Sequence, residues 1–407
     1  MTFKQTSRSL VLAGVAAAVL SAAPGYGAMA AGAKIGFLGG ITGPIQGAVP
    51  PIIDAAKLAV QQVNDQGGIL GGKLSMVLGD SKCDPQSSVG AANKLVNVEN
   101  VAGIVGALCS GATIGAANAA AVPAGVVMIS PASTSPAITT LKDKDFIFRV
   151  APSDSFQGKV LARVVLARGI KKVALTYVKN DYGKGLADNF RSEFVKGGGT
   201  IAGDQAHEDK KSSYRSELAT LKKGGADHLV LVAYPQSSAP VIIRQSLEGG
   251  LFSKFIGPEA IYDDKMWKTV GIKNLEGLFY TRPASPSGPA LDAYDAAMKK
   301  AFPKSHGKLF AAQTYDAAFV LALAIAKAGS TDGTKVRDAL RAVGNGKGMK
   351  ILPGQWKEAL AAIKAGKDID YAGATGDIDF DKDGDIAGSY NKWEIKGGKA
   401  VDQGPAK

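Results

Sequence analysis

Short apolar runs alternate with helical periodicities along this chain from residue 35 onward. Residues 35–38 read as a buried strand followed by a glycine-rich turn, and Ile52, Ala56, Ala59, Val60 and Val63 then recur at helical spacing. Gly67-Gly68 stops that helix, because glycine accepts the left-handed backbone of a helix C-terminus, and turns the chain into a strand over 74–78. A helix over 87–98 and apolar runs over 101–108 and 126–129 continue the rhythm. This βαβα order predicts a mostly parallel sheet covered by helices on both faces, an α/β fold.

The rhythm pauses near Arg149-Val150-Ala151-Pro152 and then restarts. Asp154 and Gln157 have the spacing of a capping box, and Phe156, Val160 and Val164 begin an amphipathic helix. Strands over 173–178, 201–205 and 229–233, helices over 185–195 and 241–247, and a buried strand at 255–256 make a second lobe. Thr281-Arg282-Pro283-Ala284-Ser285-Pro286 suits a crossover. Helices over 290–300 and 311–328 follow, and residues 378–393 alternate like strands broken by a turn.

Ser110, Ala132, Tyr182, Tyr234 and Glu259 each fall just past the carboxyl end of an expected strand, the edge at which open α/β sheets bind ligands. Two stretches stand out there: Gly106-Ala107-Leu108-Cys109-Ser110-Gly111-Ala112-Thr113 and Ser130-Pro131-Ala132-Ser133-Thr134-Ser135-Pro136. Ser110 and Ser135 read as helix N-caps, the latter with proline at the first helical position. Two converging helix starts would receive a small anion such as a carboxylate on unpaired N–H groups and hydroxyls. The plainer reading is a pair of ordinary strand-to-helix turns. Two such lobes face to face form a cleft suited to hinge closure.

At 407 residues, 46% apolar and 21% charged, the chain has the composition of a globular protein of two domains. Residues 1–30 have the form of a secretory signal. Lys4 and Arg8 precede an apolar run too short for a membrane span, and Ala28-Met29-Ala30 gives a cleavage site after Ala30. Removing Lys4 and Arg8 takes the net charge from +12 to +10. The remaining basic residues form no stripe interleaved with aromatics, so no nucleic-acid partner is expected. Cys83 and Cys109 are the two cysteines; in an exported chain they make one disulfide or stay as two free thiols.

Other motifs lack their partners. His207, His228 and His306 have no ligand-like spacing, so neither a metal nor a cofactor is expected. Asp379-Phe380-Asp381-Lys382-Asp383-Gly384-Asp385 begins like a calcium loop, but Tyr390 stands where the bidentate glutamate belongs, so a hairpin turn is expected. Ser305-His306-Gly307-Lys308 has a serine–lysine spacing without its companion motifs, and Gly344, Gly346 and Gly348 match no phosphate-binding fingerprint and read as a flexible loop. The histidines lie far from any candidate nucleophile, and the chain reads as a non-enzyme.

Several stretches together resemble the periplasmic leucine/isoleucine/valine-binding proteins of bacterial ABC transporters. They are Ile41-Thr42-Gly43-Pro44, Val63-Asn64-Asp65-Gln66-Gly67-Gly68-Ile69, Cys83-Asp84-Pro85, Leu108-Cys109-Ser110, Ser130 to Pro136, Asp181-Tyr182-Gly183-Lys184-Gly185 and Gly257-Pro258-Glu259. The resemblance implies two Rossmann-like lobes joined by a three-segment hinge, the type I binding-protein fold. The first lobe would comprise 31–152 and 282–376, and the second 153–281 and 377–400, with crossovers near 151–154, 281–283 and 376–378.

It also implies a Cys83–Cys109 disulfide. Ser110, Ala132 and Thr134 would hold the α-carboxylate and α-ammonium of an amino acid from the first lobe. Tyr182, Tyr234 and Glu259 would close from the second, with Glu259 as counter-charge, and Leu108 and Phe310 would line the side-chain pocket. The implied partners are the small-molecule ligand and a membrane-embedded permease, with the receptor itself a periplasmic monomer. An amide, an aromatic acid, or a sensing role beside a membrane receptor are the alternatives. Ala48 departs from the family pattern, standing where branched-chain binders place a tyrosine.

Overall fold

The computed structural model describes residues 1–3 and 32–406; most of the expected signal segment lies outside them. Five parallel strands, β1 (Ala33–Gly39), β2 (Leu74–Asp80), β3 (Gly103–Gly106), β4 (Val127–Ser130) and β5 (Ile147–Arg149), form one sheet in the order 2-1-3-4-5. A second sheet starts with β6 (Lys172–Val178), β7 (Thr200–His207), β8 (His228–Val232), β9 (Lys254–Gly257) and β10 (Phe279–Ala284). After a small sheet of β11 (Met349–Ile351), β12 (Ile369–Gly373) and β13 (Gly376–Asp377), two antiparallel strands complete the second sheet. These are β14 (Ser389–Lys396) and β15 (Lys399–Ala406), and the order is 15-14-10-9-8-6-7. Strand order reverses at β1/β3 in one sheet and at β6/β8 in the other, the two places where a doubly wound sheet leaves a crevice.

The inner strands of both large sheets are covered on both faces, which is why they read as continuous apolar runs. In the first, Phe37, Val105, Ile129 and Phe148 pack against the buried helix Ala311–Ala328, whose residues 317–325 are all buried. In the second, Leu175 and Val230 pack against the helices Asp154–Ala167 and Asp181–Lys196 through Val164, Phe190 and Phe194 on one face. Leu229, Leu231 and Ile243 fill the other.

The chain crosses between the two sheets three times. The first crossing, between Arg149 and the helix at Asp154, falls at 150–153. The other two come later than the sequence suggests. Thr281 and Pro283 lie inside β10, paired with Lys392 and Tyr390, so the second crossing follows Ala284 and precedes the helix Pro289–Ala301. Ile378, Phe380 and Ile386 remain in the first sheet's core, so the third crossing lies between Ile386 and Ser389. Apolar alternation over 378–386 looks like a strand in sequence, yet these side chains are buried by loop packing, with Phe380 edge-on to Phe148 at 5.0 Å.

The acidic turn within that segment is not a hairpin between paired strands. Asp381 accepts hydrogen bonds from the backbone N–H groups of Asp383 and Asp385. Asp385 forms a two-point ion pair with buried Arg149 at 2.5 and 2.7 Å. Gly346 and Gly348 are likewise no flexible loop. A Cβ at either would strike the backbone of Asp368 or Ile369, so the glycines let this segment lie tight against β12. No helix among the described residues is long and apolar enough to cross a membrane, and none of their acidic, histidine or cysteine side chains cluster as a metal site would require.

Candidate functional site

The carboxyl ends of β3 and β4 build one wall. Gly106 closes β3 at φ +137°, with Leu38 O so near that a side chain is excluded. The Ala107 carbonyl is then held by the hydroxyls of Ser130, at 2.6 Å, and Ser133, at 3.1 Å. Cys109, extended at φ −113°, caps the next helix, so Ser110 is its first residue rather than its cap. This one-residue shift frees the Ser110 hydroxyl to accept the Ser135 N–H at 3.1 Å. Ser135 is the N-cap of the following short helix, with Pro136 next, so the two helix starts do converge. Cys83 and Cys109 are joined, Cα atoms 5.3 Å apart, tying the β2 edge to this wall.

The opposite wall comes from β6, β8 and β9. Asn180 caps the helix Asp181–Lys196 through the Gly183 N–H, and its amide donates to the Tyr234 hydroxyl at 3.1 Å. Tyr182 and Tyr234 stack with centroids 5.7 Å apart. Glu259, just after β9, is buried and accepts a hydrogen bond from the Gln157 amide at 2.5 Å. Burial pushes the Glu259 carboxyl up to about 7, held back in part by the Gln157 bond. Asp154 lies behind it and is also raised, first by burial and then by the Glu259 charge. Three buried polar atoms in this group have no hydrogen-bond partner among the described residues: Asp154 Oδ1, Gln157 Oε1 and the Tyr182 hydroxyl.

Between the walls is a cavity of about 70 Å³. Of the residues singled out in the sequence, Leu108, Ser110, Ala132, Tyr182, Tyr234, Glu259 and Phe310 all line it. Thr134 does not. Its hydroxyl donates to Asp154 at 2.8 Å and its carbonyl accepts the Asp154 N–H, so it holds the acid behind the wall. Phe310 sits at φ +58°, a left-handed conformation costing a non-glycine residue about 1 kcal/mol or more, immediately before the helix Ala311–Ala328.

Sequence reasoning missed Ile45, Ile52, Tyr262 and Leu309, which complete the apolar end, and misread Gln157. Ser153, not Asp154, caps the helix, and Gln157 reaches Glu259 instead of the helix start. Both side chains of the serine–lysine motif are engaged elsewhere: Ser305 donates to Asp54, and Lys308 pairs with Asp264 at 2.8 Å.

Small residues let the walls approach. The Gly47 N–H donates to Gln236 Oε1 at 2.7 Å, and a Cβ on Gly47 would lie 2.7 Å from Gln236 Nε2. The Gln236 N–H donates back to Pro44 O at 3.2 Å. At the other rim, the Ser135 hydroxyl donates to Asp181 O at 2.9 Å, and a Cβ on Gly185 would meet Pro136 at 2.6 Å.

Residues 32–385 match the family model described as "Periplasmic binding protein". The leucine-, isoleucine-, valine-, threonine- and alanine-binding protein of Pseudomonas aeruginosa is 32% identical over 76% of this chain and 82% of its own length. Among solved structures, a leucine binding protein from Thermotoga maritima superposes with TM-score 0.78 at 24% identity, covering 92% of this chain and 99% of that one. The branched-chain amino acid transporter substrate binding protein from Streptococcus pneumoniae, in complex with isoleucine, gives 0.76 at 25%, covering 92% and 100%. The chain belongs to the periplasmic binding protein family, in its leucine/isoleucine/valine-binding branch.

Proposed function

We propose that this protein is the extracytoplasmic receptor of an ABC importer and binds a neutral, apolar α-amino acid between its lobes. The observation that carries the reading is the polarity of the cavity. The Ser110 hydroxyl and the helix start after Cys109, with Ala132 beside them, face a buried acid, Glu259, across it, and Ile45, Ile52, Leu108 and Phe310 form its apolar end. The first wall suits a carboxylate, since helix starts present N–H groups and a partial positive charge. An ammonium beside Glu259 sets a positive charge against this buried carboxyl and favours its ionised form.

Binding then proceeds without chemistry. The ligand docks on the first lobe, whose groups are already held by one another, and the second lobe closes over it. Closure follows because Tyr182, Tyr234 and Glu259 reach the ligand only in the closed form, so the ligand's differential affinity shifts the equilibrium. The closed receptor, exported after removal of residues 1–30, delivers the amino acid to a membrane-embedded permease. Residues 32–152 with 285–386 make the first lobe, and 153–284 with 389–406 the second.

Isothermal titration of ligand-freed protein with leucine, with 4-methylpentanoate lacking the amine, and with leucinamide lacking the carboxylate tests this. Leucine is expected to bind at least about a hundredfold more tightly than either analogue, since each leaves one buried pole unpaired. Equal binding of 4-methylpentanoate and leucine would contradict the zwitterion reading.

A further inference from the structure

A second cavity, of about 140 Å³, lies at the second crossing between the lobes, and Leu309 and Phe310 line it on one side and the cleft cavity on the other. Its walls come from both lobes. Arg282 belongs to β10 of the second sheet, and Ser285 to the crossing that follows it. Leu291 lies on the helix Pro289–Ala301 and Gln313 on the helix Ala311–Ala328, both packed into the first lobe's core.

Two polar groups here are fixed in place but not used up. The Arg282 guanidinium lies over the rings of Tyr262, at 4.8 Å, and Trp393, at 5.6 Å, and donates to Gly307 O at 3.2 Å, yet it pairs with no carboxylate among the described residues. Gln313 is only 6% exposed and lines the cavity, and its amide has no hydrogen-bond partner among the described residues. An amide so nearly buried costs free energy unless something bonds it. A carboxylate would meet both needs, since its two oxygens match the guanidinium fork and can also accept from the Gln313 amide and the Ser285 hydroxyl. The other charged groups at the cavity are matched: Lys308 pairs with Asp264 at 2.8 Å, and Asp295 with His306 at 3.2 Å. Asp295 still carries a negative charge there, which disfavours a doubly charged anion such as phosphate. Leu291, Phe310 and Ala312 give an apolar side suited to a short hydrocarbon body.

We propose that this cavity is a second binding site, distinct from the amino-acid cleft, that takes a small monocarboxylate. Because Arg282 and Gln313 belong to different lobes, an anion held by both favours the closed form. The two sites then strengthen each other by the same factor. None of the groups assigned to the amino acid's charged poles takes part, so this site stands apart from the zwitterion reading.

Calorimetric titration of leucine-saturated protein with butanoate, and separately with inorganic phosphate, tests the assignment. Butanoate is expected to bind at one further site and to raise leucine affinity, with phosphate at least about tenfold weaker. Arg282→Met keeps an unbranched stem over Tyr262, and Gln313→Met puts a good helix former of similar length in the helix. Each variant is expected to weaken butanoate at least about tenfold, while leucine alone binds within about threefold of wild type. An unchanged melting temperature verifies the fold of each, and Gln313→Met decides the matter alone if Arg282→Met does not fold. The proposal is overturned if leucine-saturated wild-type protein does not bind butanoate, if phosphate binds as tightly, if butanoate leaves leucine affinity unchanged, or if butanoate binding survives undiminished in the variants. Failure of leucine to bind wild-type protein faults the amino-acid reading instead, and loss of butanoate binding in the two variants still supports this site.

Discussion

The two walls of the cleft are built on opposite principles. On the first, the hydroxyls of Ser110, Ser130 and Ser133 are each engaged with backbone groups of the same wall, and the Cys83–Cys109 bond pins the segment leading into Ser110. On the second, Glu259, Asp154, Gln157 and Tyr182 are buried together with more acceptors than donors, and two carboxyls are pushed upward by burial. One wall is complete by itself; the other is electrostatically unfinished. A receptor that must bind tightly yet release its ligand gains from this split. On the proposed reading, the rigid wall fixes the ligand's position, and the unfinished one makes closure depend on a cation.

The sharpest way to break the comparison is Glu259→Gln. Removing the buried counter-charge is expected to weaken leucine binding by roughly 2–5 kcal/mol in calorimetry, the range for one partner of a buried charge pair. The ligand-free protein should melt no lower, because a neutral amide removes a desolvated acid. Replacing both cysteines by serine should do the reverse. Closing a loop of 26 residues stabilises by roughly 3–4 kcal/mol on the chain-entropy model, so the melting temperature falls while leucine affinity changes only a few-fold. Gly185→Val is the mildest. A Cβ there would meet Pro136 across the cleft, so the variant should penalise only the closed form, by about 1–3 kcal/mol of binding, with folding of the open form unaffected.

The parallel sheets, the chain restart near 151 and the cavity residues past strand ends were legible because each has a local signature: continuous apolar runs, turn residues, and position at the carboxyl edge. What was not legible depends on tertiary placement. Gln157 has the spacing of a helix cap, and only the docking of the helix Asp154–Ala167 against β10 turns its amide toward Glu259 and Thr281. Thr134 sits in the expected stretch, yet its hydroxyl turns away to Asp154. Tyr262 and Leu309 are remote from each other in sequence and meet at the cavity only because the lobes close. Sequence alone puts the last crossing too early because alternation records burial and not hydrogen-bonded pairing, and Ile378, Phe380 and Ile386 are buried without being strands.

Linkage of binding to protons reports directly on the unfinished wall. Glu259 titrates near 7 in the fold against an ordinary value of 4.5, so between these the folded, ligand-free protein holds a proton that the unfolded chain has lost. This contribution to stability therefore declines as pH rises through that window, and Asp154, raised in the same sense, adds to it. Ligand affinity runs the other way, since an ammonium needs the carboxylate. Calorimetry of leucine binding at pH 6.5, in two buffers of different ionisation enthalpy, is the most direct test. The wild type is expected to release roughly three-quarters of a proton per ligand, with affinity rising toward pH 8, and Glu259→Gln to abolish most of that release. Binding of undiminished strength with no proton exchange and no pH dependence would show that the acid plays no part in holding the ligand.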